Sequence, residues 1–435
     1  MPYLNPDDLN DLTRQIILYT QLKTEHGAAG IPETLSAGRE ALEACLAQLK
    51  SLPKDAELAM QEPDDLATIR ALRPPGPRRL WPAFDADIYH DKLAGALLGR
   101  MAGCTLGAPV EMWPIEKMRA LAEENRQPFP PTDYWRRVPE PQALRYGVSP
   151  RQAYTRGGMA GVPVDDDITY TLLGLLIAED HGPDFATEDV GRAWLAYLPY
   201  ACTAEEVALA NLKNGIPALQ AAIQDNPYRE WIGASIRADP WGYMAPGWPE
   251  RAAEMAYQDA YLSHRRQGIY GEMFFAAAIA AAFHTDDPVE ALRIGLTEIP
   301  HQSTLAQAVR WALEISPRIQ NFQEARDAVD ARFEGMSRVH TVNNACLTVW
   351  GITLGGTDFS RVIGETVAMG LDNDCTAATA GSLVGTVVGQ AGVSDHWHAH
   401  FNDTIHTYLI GRESFSIRDV LDRFEAQARR VCSEA

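Results

Sequence analysis

Apolar residues recur at helical intervals through most of the chain. Near its start, Leu9, Leu12, Ile16, Ile17 and Tyr19, then Leu42, Cys45, Leu46 and Leu49, follow a helix-like period and predict helix over 6–50. The run Ala-Leu-Arg-Pro-Pro-Gly-Pro-Arg-Arg-Leu at 71–80 breaks the pattern, because proline lacks the helical N–H donor and its ring clashes with the preceding turn. It reads as a linker and divides the chain into an N-terminal helical extension with Pro-rich linker, residues 1–80, and a main domain, residues 81–435. Downstream of Asp91, Ala/Leu-rich runs at 189–198, 271–283, 304–315, 362–369 and 376–390 keep the helical period between Gly-, Pro- and aromatic-rich segments. The alternation that a half-buried strand needs is scarce, so the sequence predicts an all-α, compact helical fold.

Glycine sharpens this picture in two segments. Gly95, Gly99, Gly103 and Gly107 recur every four residues, as do Gly381, Gly385 and Gly389. Residues i and i+4 share one ridge of a helix, so each segment offers a groove without side chains where another helix fits closely. Glycine costs about 1 kcal/mol per helix-interior position relative to alanine, so such a row implies a packing gain elsewhere. Membrane helices use the same spacing. Here Asp91, Lys92 and Arg100 within the first segment, and Asp372 and Asp374 beside the second, favour core helices and no membrane partner.

Composition narrows the function classes. The 435 residues are 46% hydrophobic and 22% charged, which sets aside disorder, collagen-like repeats and a disulfide scaffold. Asp and Glu number 58 against 38 Lys and Arg, for a formal net charge of −20. That field repels a nucleic-acid backbone, and no basic patch reverses it. It suits divalent cations, which need anionic oxygen ligands. The cysteines, Cys45, Cys104, Cys202, Cys346, Cys375 and Cys432, form no CxxC pair and no zinc-like spacing. The first residues, Met-Pro-Tyr-Leu-Asn-Pro-Asp-Asp, lack the basic-then-apolar profile of a secretion signal, so free thiols in a reducing cytoplasm are expected.

Acidic residues gather at the ends of the glycine-rich helices. Glu111 follows Gly107 by four residues; Asp165, Asp166 and Asp167 precede an apolar helix; Asp372 and Asp374 precede the second glycine segment. One Asp before a helix is an N-cap, taking the unpaired N–H groups of the first turn. Three in a row exceed what one cap uses, because neighbouring helical residues point about 100° apart. Capping and metal binding both remain open for each cluster alone. If the clusters converge, the carboxylates repel one another and their pKa values rise unless cations neutralise them. All-oxygen ligation points to Mg²⁺, Mn²⁺ or Ca²⁺, and two ions about 3.5–4 Å apart satisfy so many carboxylates.

These motifs, in this order, resemble the ADP-ribosylglycohydrolases, which include the dinitrogenase-reductase-activating glycohydrolase, from about residue 90 to about residue 410. Leu93-Ala-Gly-Ala-Leu-Leu-Gly-Arg-Met-Ala-Gly-Cys-Thr-Leu-Gly-Ala-Pro-Val-Glu111 resembles the family's G-x-x-x-G-x-x-x-G-D-A-L-G-x-x-x-E. Asp165-Asp-Asp-Ile168 stands where the family has T-D-D-T, and Gly370-Leu-Asp-Asn-Asp-Cys375 where it has G-G-D-T-D-T. Gly233-Ala-Ser-Ile-Arg237 resembles a G-A-A-M-R loop, and Ser263-His264 a T-H pair. The resemblance implies an all-α fold and two divalent cations, Mg²⁺ or Mn²⁺, held by Asp165, Asp166, Asp167, Asp372 and Asp374. It implies catalytic roles for Asp166 and for Glu111, the latter in acid/base work, and contacts to ADP-ribose from Gly233, Ser235, Arg237 and His264. Three departures mark a divergent branch: Asp165 and Cys375 stand for threonines, and Cys104 for an aspartate.

The implied activity is metal-dependent hydrolysis that releases ADP-ribose from an ADP-ribosylated protein side chain or small adduct. Such a bond breaks at the anomeric carbon through an oxocarbenium-like state. Two other functions stay open: an N-glycosidase acting on a nucleoside or other ribosyl metabolite, which the cysteine departures favour, and a non-catalytic ADP-ribose-binding protein, against which the five aspartates speak. Between Glu111 and Asp165, Trp135, Tyr146, Arg137 and Arg156 offer aromatic faces for adenine and guanidinium groups for a diphosphate, or simple core packing. The same choice holds for the tryptophan-rich segment 237–248, for His340 and for Asn343. The N-terminal extension shows no identifiable chemistry, and a protein partner, dimerisation or packing on the main domain are all open to it.

Overall fold

The computed structural model describes Tyr3 and residues 7–433. It falls into two compact units, one built from residues up to Met60 together with Phe333–Met336, the other from Gln61–Arg332 and Ser337 onward.

The first unit carries helices α1 (Asp7–Glu25) and α2 (Ile31–Ser51), as the apolar spacing predicts. The turn between them ends at Gly30, whose φ of 83° is a left-handed conformation that glycine adopts without a steric penalty. No residue of α2 is buried, and Leu12, Ile17, Tyr19, Leu46 and Leu49 are exposed. The division falls at Met60/Gln61, ahead of the expected boundary after Leu80. Charge explains the difference. Glu62 is 2% exposed, pairs with Arg266 and accepts the Thr304 N–H at 2.7 Å, while Arg73 and Arg78 reach the buried Glu298 at 2.5 and 2.7 Å. Residues 61–80 are thus tied into the second unit by ion pairs that proline content does not report.

The second unit bears out the all-α expectation: the chain is 65% helical with 3% strand. At its centre α3 (Ala86–Gly107) lies antiparallel against α8 (Asn373–Gly392), with α4 (Asp166–His181), α5 (Gln267–Ala282), α6 (Thr341–Gly355) and α7 (Phe359–Ala368) in the same unit. The glycine rows face each other. A Cβ on Gly95, Gly99 or Gly103 would stand 2.3, 2.2 or 2.1 Å from the carbonyl oxygen of Gly385, Gly381 or Ala377. The stretch Ala86–Val110 is long and apolar enough to cross a membrane, but its apolar window is wholly buried inside the fold, as a core helix is.

Strand is confined, among the described residues, to two short hairpins, β1 (Leu144–Arg145) with β2 (Ser149–Pro150), and Ile405–His406 with Ser414–Phe415. The close packing of α3 on α8 fixes the chemistry-bearing ends. A Cβ on Gly107, the last residue of α3, would stand 2.5 Å from the Cα of Asp374, in the first turn of α8.

Candidate metal centre and active site

Three chain segments converge where α3 ends and α4 and α8 begin. Glu111 lies just beyond α3, and the next residue, Met112, donates its N–H to the Leu371 carbonyl at 3.0 Å, which holds Glu111 beside Asp372. Asp165 is the N-cap of α4 and accepts the Asp167 N–H at 3.2 Å. Asp372 occupies the N-cap position of α8, yet its side chain makes no capping bond. Capping therefore accounts for one aspartate and leaves the others to be explained.

The carboxylates form a chain of close groups. Glu111, Asp372 and Asp374 can each bring a ligand atom within 4.8 Å of the others, as can Asp167, Asp374 and Cys375, and also Cys104, Asp165 and Asp167. Three oxygens in this cluster are buried without a hydrogen-bond partner, Asp167 Oδ2, Asp372 Oδ1 and Asp374 Oδ1, and so is Thr376 Oγ1, two residues beyond Asp374 on α8. A buried polar atom left so costs on the order of 1–3 kcal/mol. Oxygens of this kind, three of them from carboxylates, fit a hard divalent cation.

The electrostatics agree. Burial first, then Asp165 and Asp167, push the Asp166 carboxyl well above its ordinary value. Burial does the same to Asp167 despite Arg100, and to Asp374, with Glu111 and Asp372 adding to the latter. Asp372 is raised to about 6, by burial and then by Glu111. Burial and the neighbouring aspartates also push the Cys375 thiol up, so it stays a neutral thiol and a poor ligand for Mg²⁺.

Two guanidinium groups that the sequence reading did not assign to this site support it. Arg100, fully buried on α3, bonds the Asp167 carbonyl and carboxylate at 2.8 and 3.1 Å and pairs with Asp239 at 2.8 Å. Arg145, on β1, contacts Glu111 at 2.8 Å and Asp165 and Asp374 at 3.0 Å each. Both oxygens of Asp165 have partners in this structure, Oδ1 the Asp167 N–H and Oδ2 the Arg145 guanidinium, and Asp165 also brings a ligand atom within 4.8 Å of Cys104 and Asp167. Asp166 accepts the Tyr146 hydroxyl at 2.7 Å through Oδ1. No periodicity marks Arg145, because it comes from a two-residue strand in a loop-rich stretch.

Beside the cluster lies a cavity of about 130 Å³ lined by Glu111, Tyr146, Asp166, Glu205, Gly233, Asp372 and Asp374 among others. A larger groove, about 670 Å³, runs past Val148, Tyr200, His406 and Tyr408, and none of the six clustered carboxylates lines it. Of the residues expected to contact ADP-ribose, Gly233 lines the smaller cavity, and a Cβ there would stand 2.2 Å from a Glu205 carboxylate oxygen. Ser235, Arg237 and His264 are buried and line neither cavity. Arg237 instead neutralises Glu205, Asp259 and Glu272 at 2.7, 2.6 and 3.4 Å, which fixes Glu205 in the cavity wall. His264 Nδ1 and the Ser263 hydroxyl share a hydrogen bond of 2.8 Å.

Tyr146 apart, the fold engages the candidate side chains Trp135, Arg156, Trp241, Asn343 and His340 in its own contacts. Trp135 is fully buried and donates to the Leu106 carbonyl at 3.0 Å, Arg156 pairs with Asp133, and buried Trp241 donates to Glu272 at 2.9 Å. Asn343 donates to the Ser337 carbonyl at 2.9 Å. His340 caps α6, accepting the Val342 N–H on Nδ1 at 3.2 Å, and burial followed by Arg266 lowers its pKa to about 4. A histidine held neutral in the fold stabilises it fully above its unfolded pKa of about 6.5, and that contribution is lost as pH falls through about 4. Denaturant titrations at pH 7 and pH 4 should therefore show a loss of about 2 kcal/mol that His340→Asn, which retains a capping side chain, largely removes. Equal losses in both proteins would refute this account.

Comparison with known proteins agrees with the fold. The family model described as ADP-ribosylglycohydrolase matches residues 85–431. A solved structure titled "ADP-ribosylglycohydrolase-related protein complex" superposes with a TM-score of 0.50 at 19% identity, covering 80% of this chain and 99% of that one, a likeness of fold. No curated protein matches the chain. A match over the whole helical unit that carries the acidic cluster settles the family: the chain belongs to the ADP-ribosylglycohydrolases, a family of glycosidic-bond hydrolases.

Proposed function

We propose that this protein hydrolyses the glycosidic bond of an ADP-ribosyl group, releasing ADP-ribose from an ADP-ribosylated protein side chain or small adduct, and that it depends on divalent cation, Mg²⁺ or Mn²⁺. The observation that carries this reading is the set of buried, unpartnered oxygens on Asp167, Asp372, Asp374 and Thr376 beside a glutamate that is 34% exposed. Those four residues would hold the cation, which supplies polarisation of a water or a ribose hydroxyl.

The rest falls to the chain's own groups. Arg145 holds Glu111 through Oε2 and so orients the carboxylate at the cavity mouth. Glu111 takes a proton from the attacking water or a ribose hydroxyl and returns one to the leaving group as the anomeric carbon passes through its oxocarbenium-like state. Asp166, fixed by the Tyr146 hydroxyl, lines the same cavity and stabilises positive charge developing on the sugar ring.

One observation favours a second reading, an N-glycosidase for a nucleoside or other ribosyl metabolite. The cavity of about 130 Å³ is small beside the roughly 300–1,000 Å³ of sites for drug-sized ligands, and among the described residues no Lys or Arg lines it to meet a diphosphate.

Release of free ADP-ribose from an ADP-ribosylated arginine peptide, with Mg²⁺ and then with excess chelator, separates the two. The expected result is release that the chelator abolishes and that Glu111→Gln slows about 10²–10⁴-fold in kcat with the fold intact. Inertness toward the peptide with turnover of a nucleoside would establish the second reading. Inertness toward both would overturn glycosidase activity at this site.

A further inference from the structure

The acidic cluster contains a cation of its own. The Arg145 side chain is only 16% exposed, and it bonds the Ala108 carbonyl and Glu111 Oε2 through one guanidinium nitrogen, each at 2.8 Å. Through another it bonds Asp165 Oδ2 and Asp374 Oδ2, each at 3.0 Å. Its three carboxylate partners come from three separate chain segments, which is the bridging that a metal ion performs in such a cluster.

The hairpin that carries Arg145 is anchored. Its turn passes through Tyr146 and Gly147, with φ of 51° and 68°. The Tyr200 hydroxyl donates to the Tyr146 carbonyl at 2.6 Å, the Ser149 hydroxyl accepts the Val164 N–H at 3.0 Å, and Arg151 donates to the Pro109 carbonyl at 2.6 Å. Arg145 is thereby presented to the cluster by the fold and not by a free surface loop.

The oxygens of the cluster differ in whether Arg145 engages them. Asp374 gives Oδ2 to Arg145 and keeps Oδ1 unpartnered, and the remaining unpartnered oxygens belong to Asp167, Asp372 and Thr376. An ion on the Arg145 side would compete with the guanidinium for Glu111 Oε2, Asp165 Oδ2 and Asp374 Oδ2, and it would meet a like charge at close range.

We propose that Arg145 is a built-in counter-cation that occupies one half of the cluster, so that the protein binds a single divalent cation, in the half formed by Asp167, Asp372, Asp374 and Thr376. This inference rests on the metal site proposed above and replaces the two ions expected from the sequence with one ion and one guanidinium.

Equilibrium dialysis against Mn²⁺, with bound ion counted by electron paramagnetic resonance, tests it without reference to turnover. Wild-type protein should bind one Mn²⁺ per chain, with no signature of coupled ions, and Arg145→Met should bind two. Because losing the guanidinium leaves three carboxylates to repel one another, Mn²⁺ should also raise the melting temperature of Arg145→Met more steeply than that of wild type. Arg145→Gln gives the same comparison if Arg145→Met is recovered folded only with Mn²⁺, and rescue of either variant by the ion supports the proposal. Two coupled ions in wild type, one ion in both proteins, or variants that Mn²⁺ does not rescue would each overturn it. No ion in either protein would overturn the metal site itself, a failure distinct from that of the Arg145 assignment.

Discussion

Asparagine in place of Asp374 should cost the enzyme more than any other isosteric change in the cluster. Losing even an outer partner of a metal ligand lowers metal affinity or activity about 10–100-fold, and on the proposed metal site Asp374→Asn removes a direct ligand, so a drop in kcat/KM of at least about 100-fold is expected. Three constraints meet at this residue: Oδ2 is on Arg145, Oδ1 has no partner, and the backbone lies against Gly107. The amide keeps the shape and the backbone contact but supplies neither the charge the ion requires nor the acceptor pair that bridges ion and guanidinium. Activity measured over a Mg²⁺ titration, together with Mn²⁺ affinity from dialysis, checks this. A variant with wild-type ion affinity would remove Asp374 from the ligand set.

The second large effect concerns the fold, and it reverses an ordinary expectation. Alanine for glycine inside a helix stabilises by about 1 kcal/mol when space allows. Gly38, in α2, has nothing within 4 Å of an added Cβ, so Gly38→Ala should be neutral or mildly stabilising. Gly103→Ala makes the same chemical change where the methyl would stand 2.1 Å from the Ala377 carbonyl oxygen and 2.5 Å from its carbon. Backbone cannot rotate aside as a side chain does, so the helices must separate, and a loss of about 3 kcal/mol or more is expected. That is a large share of a total stability of about 5–15 kcal/mol. Denaturant melts should show a large loss for Gly103→Ala and none for Gly38→Ala, and a Gly103→Ala protein as stable as wild type would show that α3 and α8 pack less tightly than described.

The sequence showed the helical unit and the converging acids more clearly than it showed how the acids are held. Periodicity and local motifs expose the glycine rows, the apolar faces and the acidic residues before α4 and α8, patterns that survive in one dimension. Arg145 is not local. It reaches Glu111, Asp165 and Asp374, which lie 34, 20 and 229 residues away, from a strand of two residues. Arg237 shows the converse case, since a basic residue whose motif resembles a ligand-binding loop is paired with three buried carboxylates from other helices. The same cause packs residues 61–80 with the second unit, because Arg73 and Arg78 tie a proline-rich stretch to Glu298, more than 200 residues on. Long-range ion pairs decide all three cases, and composition near each residue carries no trace of them.

The contact between α3 and α8 also bears on how this chain can change over generations. Every single-base change that replaces glycine with another residue adds a Cβ, so Gly95, Gly99 and Gly103 admit no neutral neighbour in codon space. What each Cβ would strike is a carbonyl oxygen, on Gly385, Gly381 or Ala377. A second substitution cannot make that oxygen smaller, whereas it can shrink an opposing side chain. Compensation would require the helices to slide or part, and Gly107 packs on the backbone of Asp374, so any such shift displaces the cluster as well. A saturation library selected for folding alone should therefore be as sparse at these glycines as one selected for activity.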